Sequence, residues 1–346
     1  MMKFISWNCR GLGHPSKIAS LKDLADHEKP GIIMIQETKQ RLQEMTRIIE
    51  QLRHYEGQIC EARGASGGIT TMWNKNIWIC TSNTINPYLI KFILEKKEEH
   101  KQIVIYNIYA PNHFRDKEQC WATLQEDIQA EDNRNIILGG DLNLILHSNE
   151  KRGGIFTHDP YRAKLEKIMQ ECDLVDIIPK NRRYTWNNRR LGRDNIMERL
   201  DRILVNTSFL SEFSTAHATI LPYLASDHYP ISIVLEAHCP LGPLPFKYNS
   251  LWRSNPIVDQ IVKTTWQHHI EGSLGLIWEC KLKNTKNALK KWVKQHYKEP
   301  ENVKAELKNK LKENHRKIEE NGLSHEDKAL ESDIYYQLYQ VNREEE

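Results

Sequence analysis

The chain has 346 residues, of which 39% are hydrophobic and 27% are charged, and its formal net charge is only +3. This length predicts about two domains and allows a full core without disulfides or structural metals. No apolar run is long enough to span a bilayer, and seven scattered cysteines without a Cys-x-x-Cys pair argue against a disulfide framework or a zinc site. We therefore expect a soluble intracellular protein with no membrane partner.

The first 238 residues predict an α/β domain. Short runs rich in Ile and Val have the length of buried strands and lie at 31–35, 103–109, 135–138, 203–205 and 231–235. Candidate helices lie between them at 16–28, 42–54, 117–128 and 161–172. In the last of these, Leu165, Ile168 and Met169 share one helical face, as an amphipathic helix requires.

The chain changes character after residue 238. Three prolines make residues 239–250 poor material for a helix or a central strand, so we expect a linker there. Residues 251–346 then predict two to four helices, the last opened by a capping box at Ser324 and Asp327 and running through Tyr339. Four apolar residues of this tail are expected to form a small core: Trp278, Leu282, Leu289 and Trp292.

Charge is distributed unevenly over this tail. Residues 280–317 contain 13 Lys or Arg and 4 Glu, a net charge of +9, whereas residues 318–346 contain 2 basic and 9 acidic side chains, a net charge of −7. The basic segment can add sequence-independent affinity for DNA. A helical face exposed to water is the simpler interpretation of any single lysine.

Six polar clusters lie at the beginnings or ends of predicted strands, at residues 7–11, 36–38, 109–112, 140–143, 199–202 and 226–228. Strand ends in an α/β sheet converge on one rim, where ligands usually bind. Each cluster alone is weak evidence, because an Asp after a strand is more often a turn former and a lone His is more often structural. Together and in this order, they supply a complete set of groups for cleaving a phosphodiester.

The clusters resemble the motifs of the endonuclease/exonuclease/phosphatase superfamily, which includes apurinic/apyrimidinic endonucleases and deoxyribonuclease-I-like enzymes. The resemblance covers residues 3–236 and implies a four-layered α/β sandwich, two packed mixed sheets flanked by helices, followed by a mainly helical C-terminal region. More narrowly, the chain resembles the endonuclease of plant LINE-type (non-LTR) retrotransposons, and the resemblance is carried by residues 6–12, 36–39, 109–112, 140–143, 150–154, 184–186, 198–202 and 226–230. No reverse transcriptase sequence follows, so we expect a truncated product of such an element.

The resemblance also implies a metal site. Glu37 matches the principal metal ligand of the superfamily and Asp227 matches a further one, and carboxylates suit Mg²⁺, a hard cation that prefers oxygen. Apurinic/apyrimidinic endonucleases carry an acidic residue where this chain has Arg10, and retrotransposon endonucleases commonly lack that acid. We therefore expect one Mg²⁺, with Mn²⁺ as a substitute.

Catalytic roles follow from the same resemblance. Asp141 would orient or deprotonate the attacking water, while Asn143 and Asn8 would hold water and phosphate oxygens. Asp141 and Asn143 are two residues apart, so in extended backbone they would point to the same side. His228 would contact the scissile phosphate, and Asp201 would orient it and favour the imidazolium.

The remaining candidates concern the substrate. Tyr109 and Asn112 match residues that contact the phosphate or assist the leaving oxygen. The segment 182–202 contains seven arginines with aromatics among them, which suits phosphate contacts and base stacking, although a solvated surface around one core Trp is an equal alternative for any single residue. The candidates for binding DNA in this segment are Arg182, Arg183, Tyr184, Trp186, Arg189 and Arg199.

The leading hypothesis is therefore a Mg²⁺-dependent DNA endonuclease that nicks one strand and leaves a 3′-hydroxyl usable as a primer, acting in the nucleus where DNA resides. The first alternative is a phosphatase or phosphodiesterase of the same fold, which the Arg-rich segment and the lack of membrane features disfavour. The second is a remnant that binds nucleic acid or protein without turnover, which the intact motifs disfavour.

Overall fold

A computed structural model of the protein describes residues 2–62, 64, 66–131, 134–156, 159–222, 225–235, 248, 252–253, 255–296 and 300–345. The strands are β1 Lys3–Asn8, β2 Ile32–Gln36, β3 Tyr55–Cys60, β4 Ile69–Asn74, β5 Trp78–Ile85, β6 Leu89–Lys96, β7 Gln102–Tyr109, β8 Asn135–Asp141, β9 Lys151–Arg152, β10 Leu174–Asp176, β11 Trp186–Asn187, β12 Met197–Glu198, β13 Asp201–Asn206, β14 His217–Ile220 and β15 Ile231–Val234. The α-helices are α1 Pro15–Glu28, α2 Leu42–Glu50, α3 Phe114–Gln129, α4 Arg162–Glu171, α5 Thr207–Glu212, α6 Pro256–Gln267, α7 Leu274–His296, α8 Pro300–Asn321 and α9 His325–Glu345. Within the described residues, no helix combines the length and the apolar character needed to cross a membrane.

The chain forms two compact units. The first contains residues 1–238 together with 308–344, and the second contains residues 239–307. The tail predicted as one region from residue 251 is therefore divided, with α9 and most of α8 belonging to the first unit. The predicted linker 239–250 lies, apart from Tyr248, outside the described residues.

Two six-stranded sheets form the centre of the first unit. Their strand orders are β14-β15-β1-β2-β4-β3 and β10-β13-β8-β7-β6-β5. Each sheet contains one parallel pair, β1 with β2 and β7 with β8, among antiparallel neighbours, so both are mixed. A smaller sheet has the order β11-β12-β9.

Strand alternation divides the apolar side chains among three buried clusters. Phe4 and Ile32 point into the cluster between the two sheets, whereas Ile5 and Ile33, one residue further along, point to the cluster under α1 and α2. On the second sheet, Val104 faces away from the first sheet into a cluster shared with α3 and α4. The layers are helices, sheet, sheet and helices, and the predicted four-layered sandwich is confirmed.

Gly140 brings the strands that carry the site into register. A Cβ atom on this residue, whose φ is +156°, would lie 1.9 Å from the carbonyl oxygen of Ile108. Only glycine lets β8 approach β7 this closely. The consequence is that Tyr109 and Asp141, the last residues of the two strands, lie side by side.

The capping box predicted at the last helix is confirmed. The amide of Asp327 donates to Ser324 Oγ at 3.1 Å, and the amide of Ser324 donates to Asp327 Oδ2 at 3.1 Å. The two reciprocal bonds satisfy amides that a helix start leaves without an intrahelical acceptor.

The second unit has its own small core. Leu289 and Trp292 are buried with Trp252 and Val258, so two of the four predicted residues of the tail core are confirmed. The other half of that prediction was wrong, because Trp278 and Leu282 are 61% and 53% exposed. Trp278 meets the half-buried Trp266 of α6 edge-on, with 5.8 Å between ring centroids, but most of its surface stays in solvent.

Candidate functional site

The site lies where strands of both sheets end side by side. Asn8 pairs with Gln36 at the ends of β1 and β2, and Asp141 pairs with Tyr109 and with Asp201 at the ends of β8, β7 and β13. The two packed sheets thereby bring five of the six predicted polar clusters to one rim. The sixth, at residues 226–228, reaches it through Ser226 Oγ, which donates to the Asn8 carbonyl oxygen at 2.9 Å.

Glu37 is held in a strained backbone position at the end of β2. Its φ is +50°, in the left-handed region that residues other than glycine rarely adopt. Burial alone would raise its pKa, but a hydrogen bond from Tyr109 Oη (2.6 Å to Oε1) and the cations Arg10 and Lys39 lower it below its usual value. Glu37 is therefore an ionised, nearly enclosed carboxylate at neutral pH.

Glu37 and Asp227 present two carboxylates to a common position. Arg10 Nε lies 3.8 Å from Glu37 Oε2 and 3.5 Å from Asp227 Oδ1, so one positive group is shared by both acids. Trp186 Nε1 donates to the other oxygen of Asp227 at 3.1 Å and fixes its orientation. This set of oxygen donors fits the hard divalent cation that the sequence predicts.

Asp141 is oriented by two asparagines. Asn8 Nδ2 donates to Asp141 Oδ2 at 2.9 Å and lies 3.4 Å from Glu37 Oε1. The amide of Asn143 donates to Asp141 Oδ1 at 3.0 Å. The sequence argument that extended backbone aligns Asp141 and Asn143 was wrong, because β8 ends at Asp141 and Asn143 has a φ of +48°, with its side chain donating to the Ala110 carbonyl oxygen at 2.6 Å.

Asp201 and His228 form a buried pair beside Asp141. His228 Nδ1 lies 2.9 Å from Asp201 Oδ2, and its Nε2 lies 3.8 Å from Asp141 Oδ2. Burial would lower the pKa of His228, but the anions Asp201 and Asp141 raise it to about 9. Burial raises the pKa of Asp141 to about 6, against the opposing effect of His228 and with the support of Asp201. At neutral pH the site therefore holds an imidazolium beside a carboxylate.

Asp141, Asp201 and His228 also bring ligand atoms within 4.8 Å of one another, which makes them an alternative set for a metal. A protonated imidazole has no lone pair to give to a metal. This set can therefore bind an ion only after His228 loses its proton.

The arginines predicted to bind DNA are mostly paired within the protein. Arg182 Nε donates to Glu319 at 2.9 Å, and Arg189 is paired with Glu331. Arg199 is 3% exposed, and its guanidinium bonds Glu150 at 3.0 Å and Asp176 at 2.6 and 2.9 Å. A direct contact of these three with a substrate would require breaking their ion pairs.

The other predicted substrate residues are placed differently. Asn112 and Arg183 are exposed, and Asn112 lines a cavity of about 250 Å³ that also contains Tyr109. Arg183 lines a separate cavity of about 570 Å³ together with Tyr184, which is itself buried. Trp186 is half-buried, and its indole donates a hydrogen bond to Asp227, so it orients a carboxylate of the site.

Sequence reasoning missed several supporting residues. Lys39 contributes a cation at 3.2 Å from Glu37, and its position in the motif 36–39 was a signal that could have found it. Thr185 Oγ1 accepts the amide hydrogen of Asp201 at 3.0 Å, and its carbonyl oxygen accepts that of Tyr229 at 2.8 Å. The sequence carries no local signal for this link, because Thr185 and its partners are 16 and 44 residues apart.

Comparison with known protein families identifies the family of this chain. The model of the endonuclease/exonuclease/phosphatase family matches residues 5–228. The chain belongs to this family. Its members are nucleases and phosphatases, and the chain is accordingly a hydrolase of phosphate esters.

Solved structures support the fold of this family member. It is similar to the AP endonuclease LMAP from Leishmania major, with 18% identity and a TM-score of 0.54 over 67% of this chain and 86% of that one. An AP endonuclease from Archaeoglobus fulgidus gives 17% identity and a TM-score of 0.55 over 68% of this chain and all of that one. The 3′ phosphatase NExo from Neisseria, solved bound to a product DNA hairpin, has 16% identity and a TM-score of 0.53 over 68% of this chain and all of that one. At these identities the likeness is one of fold.

Proposed function

We propose that this family member is a Mg²⁺-dependent DNA endonuclease that nicks one strand and leaves a 3′-hydroxyl end. The observation that carries the proposal is the meeting of an ionised Glu37, a raised-pKa Asp141 and a protonated His228 at one rim of the two sheets. An origin in a plant LINE-type retrotransposon and a nuclear location are part of the same proposal. They are supported by the motif resemblance and by the proposed substrate.

In this proposal Asp141 accepts the proton of the attacking water. Its raised pKa suits a general base, and the donors Asn8 and Asn143 hold both of its oxygens in place. His228, kept protonated by Asp201, stabilises negative charge on the phosphate. Tyr109, bonded to Glu37 at 2.6 Å, stands at the rim where it can assist the leaving oxygen.

Glu37 and Asp227 would hold one Mg²⁺, with Mn²⁺ as a substitute. The ion, when bound, supplies positive charge to phosphate oxygens and orients the reacting group. Trp186 keeps Asp227 turned towards Glu37 through its indole bond. Lys39 and Arg10 keep the pKa of Glu37 low, so the carboxylate is ready to bind a cation.

DNA is the proposed substrate because exposed donors occur in the cavity of Tyr109 and along the Arg-rich segment that contains Trp186. Asn112 and Arg183 are exposed candidates for phosphate contacts. Arg190 and Arg193 are exposed in the same Arg-rich segment and can add backbone contacts. The paired Arg182, Arg189 and Arg199 are proposed to support this surface rather than to bind DNA themselves.

A plasmid assay tests the proposal. Supercoiled plasmid with Mg²⁺ is expected to become nicked, and Glu37→Gln and His228→Ala are expected to slow nicking at least about a hundredfold, the scale for losing one charge-stabilising group. Glu44→Gln, an exposed carboxylate of α2, is the matched control and should nick at the wild-type rate. Extension of the nick by a polymerase without prior treatment tests for the 3′-hydroxyl.

Two further measurements distinguish the alternative functions, a phosphatase and a nucleic-acid-binding remnant. Release of phosphate from a 3′-phosphorylated oligonucleotide or an inositol phosphate, without plasmid nicking, would favour a phosphatase. Plasmid retention in a gel-shift experiment without turnover would favour a binding remnant. Equal nicking by the wild type and both site variants would contradict the assigned site.

A further inference from the structure

The C-terminal helix pair, residues 308–344 of α8 and α9, packs directly on the unit that carries the site. Ile318 and Leu323 join Tyr184 and Met197 in one buried apolar cluster. The amide of Gly192 donates to the Leu323 carbonyl oxygen at 3.0 Å, which ties the Arg-rich segment to the turn between the helices. The sequence predicted this helix pair only as part of one helical tail, residues 251–346.

A chain of buried polar groups runs from the helix pair towards the site. Arg182 Nη1 donates to His315 Nδ1 at 2.8 Å, so the proton of the neutral ring is on Nε2, which lies 3.0 Å from Glu331 Oε1 without a well-aligned hydrogen bond. Glu331 is in turn paired with Arg189. Burial, with the nearby Arg182, lowers the pKa of His315 to about 3, which agrees with a neutral ring.

This chain surrounds the ring of Tyr229. Arg182 Cζ lies 4.1 Å and Arg189 Cζ 5.3 Å from the ring centroid, and the His315 ring meets it edge-on at 4.8 Å. Tyr229 is 1% exposed. Three side chains that are fixed by the helix pair therefore fix the position of one aromatic ring.

Tyr229 is the residue next to His228. The amide of Tyr229 donates to the Thr185 carbonyl oxygen at 2.8 Å, and the amide of Asn187 donates to the Asp227 carbonyl oxygen at 3.0 Å. The loop that carries Asp227 and His228 is thus held by β11 on one side and by the caged Tyr229 at its end. A displacement of the ring would move the backbone of both site residues.

We propose that the C-terminal helix pair is a positioning element of the active site, which acts through His315, Glu331 and the cage around Tyr229 to hold His228 against Asp201 and Asp227 against Trp186. The proposal rests on the proposed function for its kinetic test only. Glu319, Glu331 and His315 are positioning residues, since none of them reaches the rim of the sheets. The acidic C-terminal end then has a structural purpose within the catalytic unit.

Two variants and one matched control test this proposal in the full-length protein. Glu331→Gln removes the charge facing Arg189 and His315, and Glu319→Gln removes the charge facing Arg182. Glu320→Gln makes the same chemical change one residue along α8, at a solvent-facing pair with Arg316. Glu319 is partly exposed, so its variant remains informative where Glu331→Gln does not fold.

The kinetic readout is the nicking rate against the affinity for plasmid DNA, with circular dichroism to show that each variant is folded. We expect kcat to fall at least tenfold in Glu331→Gln and by a smaller factor in Glu319→Gln, with an unchanged dissociation constant for DNA. Weakened DNA binding at an unchanged kcat would overturn the proposal, because the helix pair would then belong to the DNA surface. Faster nicking would also overturn it and would indicate an inhibitory cover.

A second readout is independent of nuclease activity. The ring proton between His228 and Asp201 should give a downfield NMR resonance, assigned by its loss in His228→Gln. We expect that resonance to broaden or shift in Glu331→Gln and to stay unchanged in Glu320→Gln. An unchanged resonance in folded Glu331→Gln would overturn the positioning role. If the wild type does not nick plasmid but the resonance is altered in Glu331→Gln, the result counts against the proposed function alone.

Discussion

At the scale of single residues, the folded protein raises the pKa values of both Asp141 and His228. The pKa of Asp141 is raised to about 6 and that of His228 to about 9. A reaction that needs Asp141 ionised and His228 protonated gains rate as pH rises through about 6 and loses rate as pH rises through about 9. We therefore expect a bell-shaped profile of kcat/KM for nicking between these values.

Asp201→Asn tests the cause of the upper limb. Without this anion the imidazolium loses a main source of stabilisation, so the upper limb of the profile should move to lower pH. Asp201 also raises the pKa of Asp141, so the lower limb should not move to higher pH. Glu44→Gln is the control and should keep the wild-type profile. An upper limb that does not move in Asp201→Asn would contradict the assignment of that limb to His228.

Arg10 is the residue at which the chain departs from the apurinic/apyrimidinic endonuclease pattern, and it pairs with both acids of the proposed metal site. Its Nε lies 3.5 Å from Asp227 and 3.8 Å from Glu37. Arg10→Ala removes a charge that would compete with the metal, so we expect tighter Mn²⁺ binding by calorimetry, by a factor of a few, since the pair is half-exposed and screened. Arg41→Ala, an exposed arginine at the start of α2, is the control, and equal affinities in both variants would contradict the competition.

At the scale of elements, a buried network of four charges joins the 3₁₀ turn at Glu150 to β10 and β13. Arg202 is fully buried and bonds Glu150 at 2.9 Å and Asp176 at 2.6 Å, and Arg199 bonds the same two acids. Glu150→Ala leaves both cations without one partner, and breaking a buried pair in this way costs about 3–5 kcal/mol. Glu166→Ala, which breaks the surface pair with Arg162, should cost less than about 1 kcal/mol in the same urea unfolding experiment.

The same network predicts how the free energy of unfolding depends on pH. Burial would raise the pKa of Glu150, but Arg202 and further donors lower it from 4.5 to about 2. A carboxyl whose pKa is lowered by folding stabilises the protein above its unfolded pKa, and that contribution is lost as pH falls through the folded value. The wild type should therefore lose more unfolding free energy between pH 4.5 and 2 than Glu150→Ala, and parallel curves would contradict this origin.

Strands with a continuous apolar run were predictable from the sequence, whereas strands that mix apolar and polar residues, such as β4, were missed. The continuous apolar runs of β2, β7 and β8 indicated strands because helices or a second sheet cover both of their faces. β5 was missed because most of its residues after Trp78 are exposed and polar, with no apolar run to detect. The helix α2 was predicted to reach residue 54 but ends at Glu50, a boundary that local pattern does not define.

The site residues also divide into those that the sequence predicted and those that it could not predict. The residues at strand ends could be named because motif order and strand pairing place them together. The fate of Arg182 and Arg189 could not be predicted, because their acidic partners Glu319 and Glu331 are 137 and 142 residues away in sequence. A cluster of arginines predicts positive charge, but the partners that neutralise it depend on tertiary packing.

At the scale of the whole molecule, the acidic end of the sequence completes the unit that begins at the N-terminus. The net charge of −7 over residues 318–346 includes the two glutamates that pair with Arg182 and Arg189. The net charge of the whole chain is close to zero in part because these opposite charges form ion pairs within one folded unit. This pairing explains why the tail cannot be treated as an independent appendage.

Deleting residues 308–346 should accordingly destabilise the catalytic unit. The deletion exposes Tyr184 and Met197 and removes Ile318 and Leu323, and each buried apolar side chain contributes about 1.5–3 kcal/mol before the cost of ordering the helices. Since 1 kcal/mol shifts the Tm of a unit this size by roughly 2–4 °C, we expect the Tm of the chain 1–307 to fall by at least about 5 °C. The full chain carrying Glu326→Gln, at an exposed position of α9, is the control. A peptide of residues 308–346 added in trans should raise the Tm of 1–307, and an unchanged Tm after deletion would contradict the role of the helix pair.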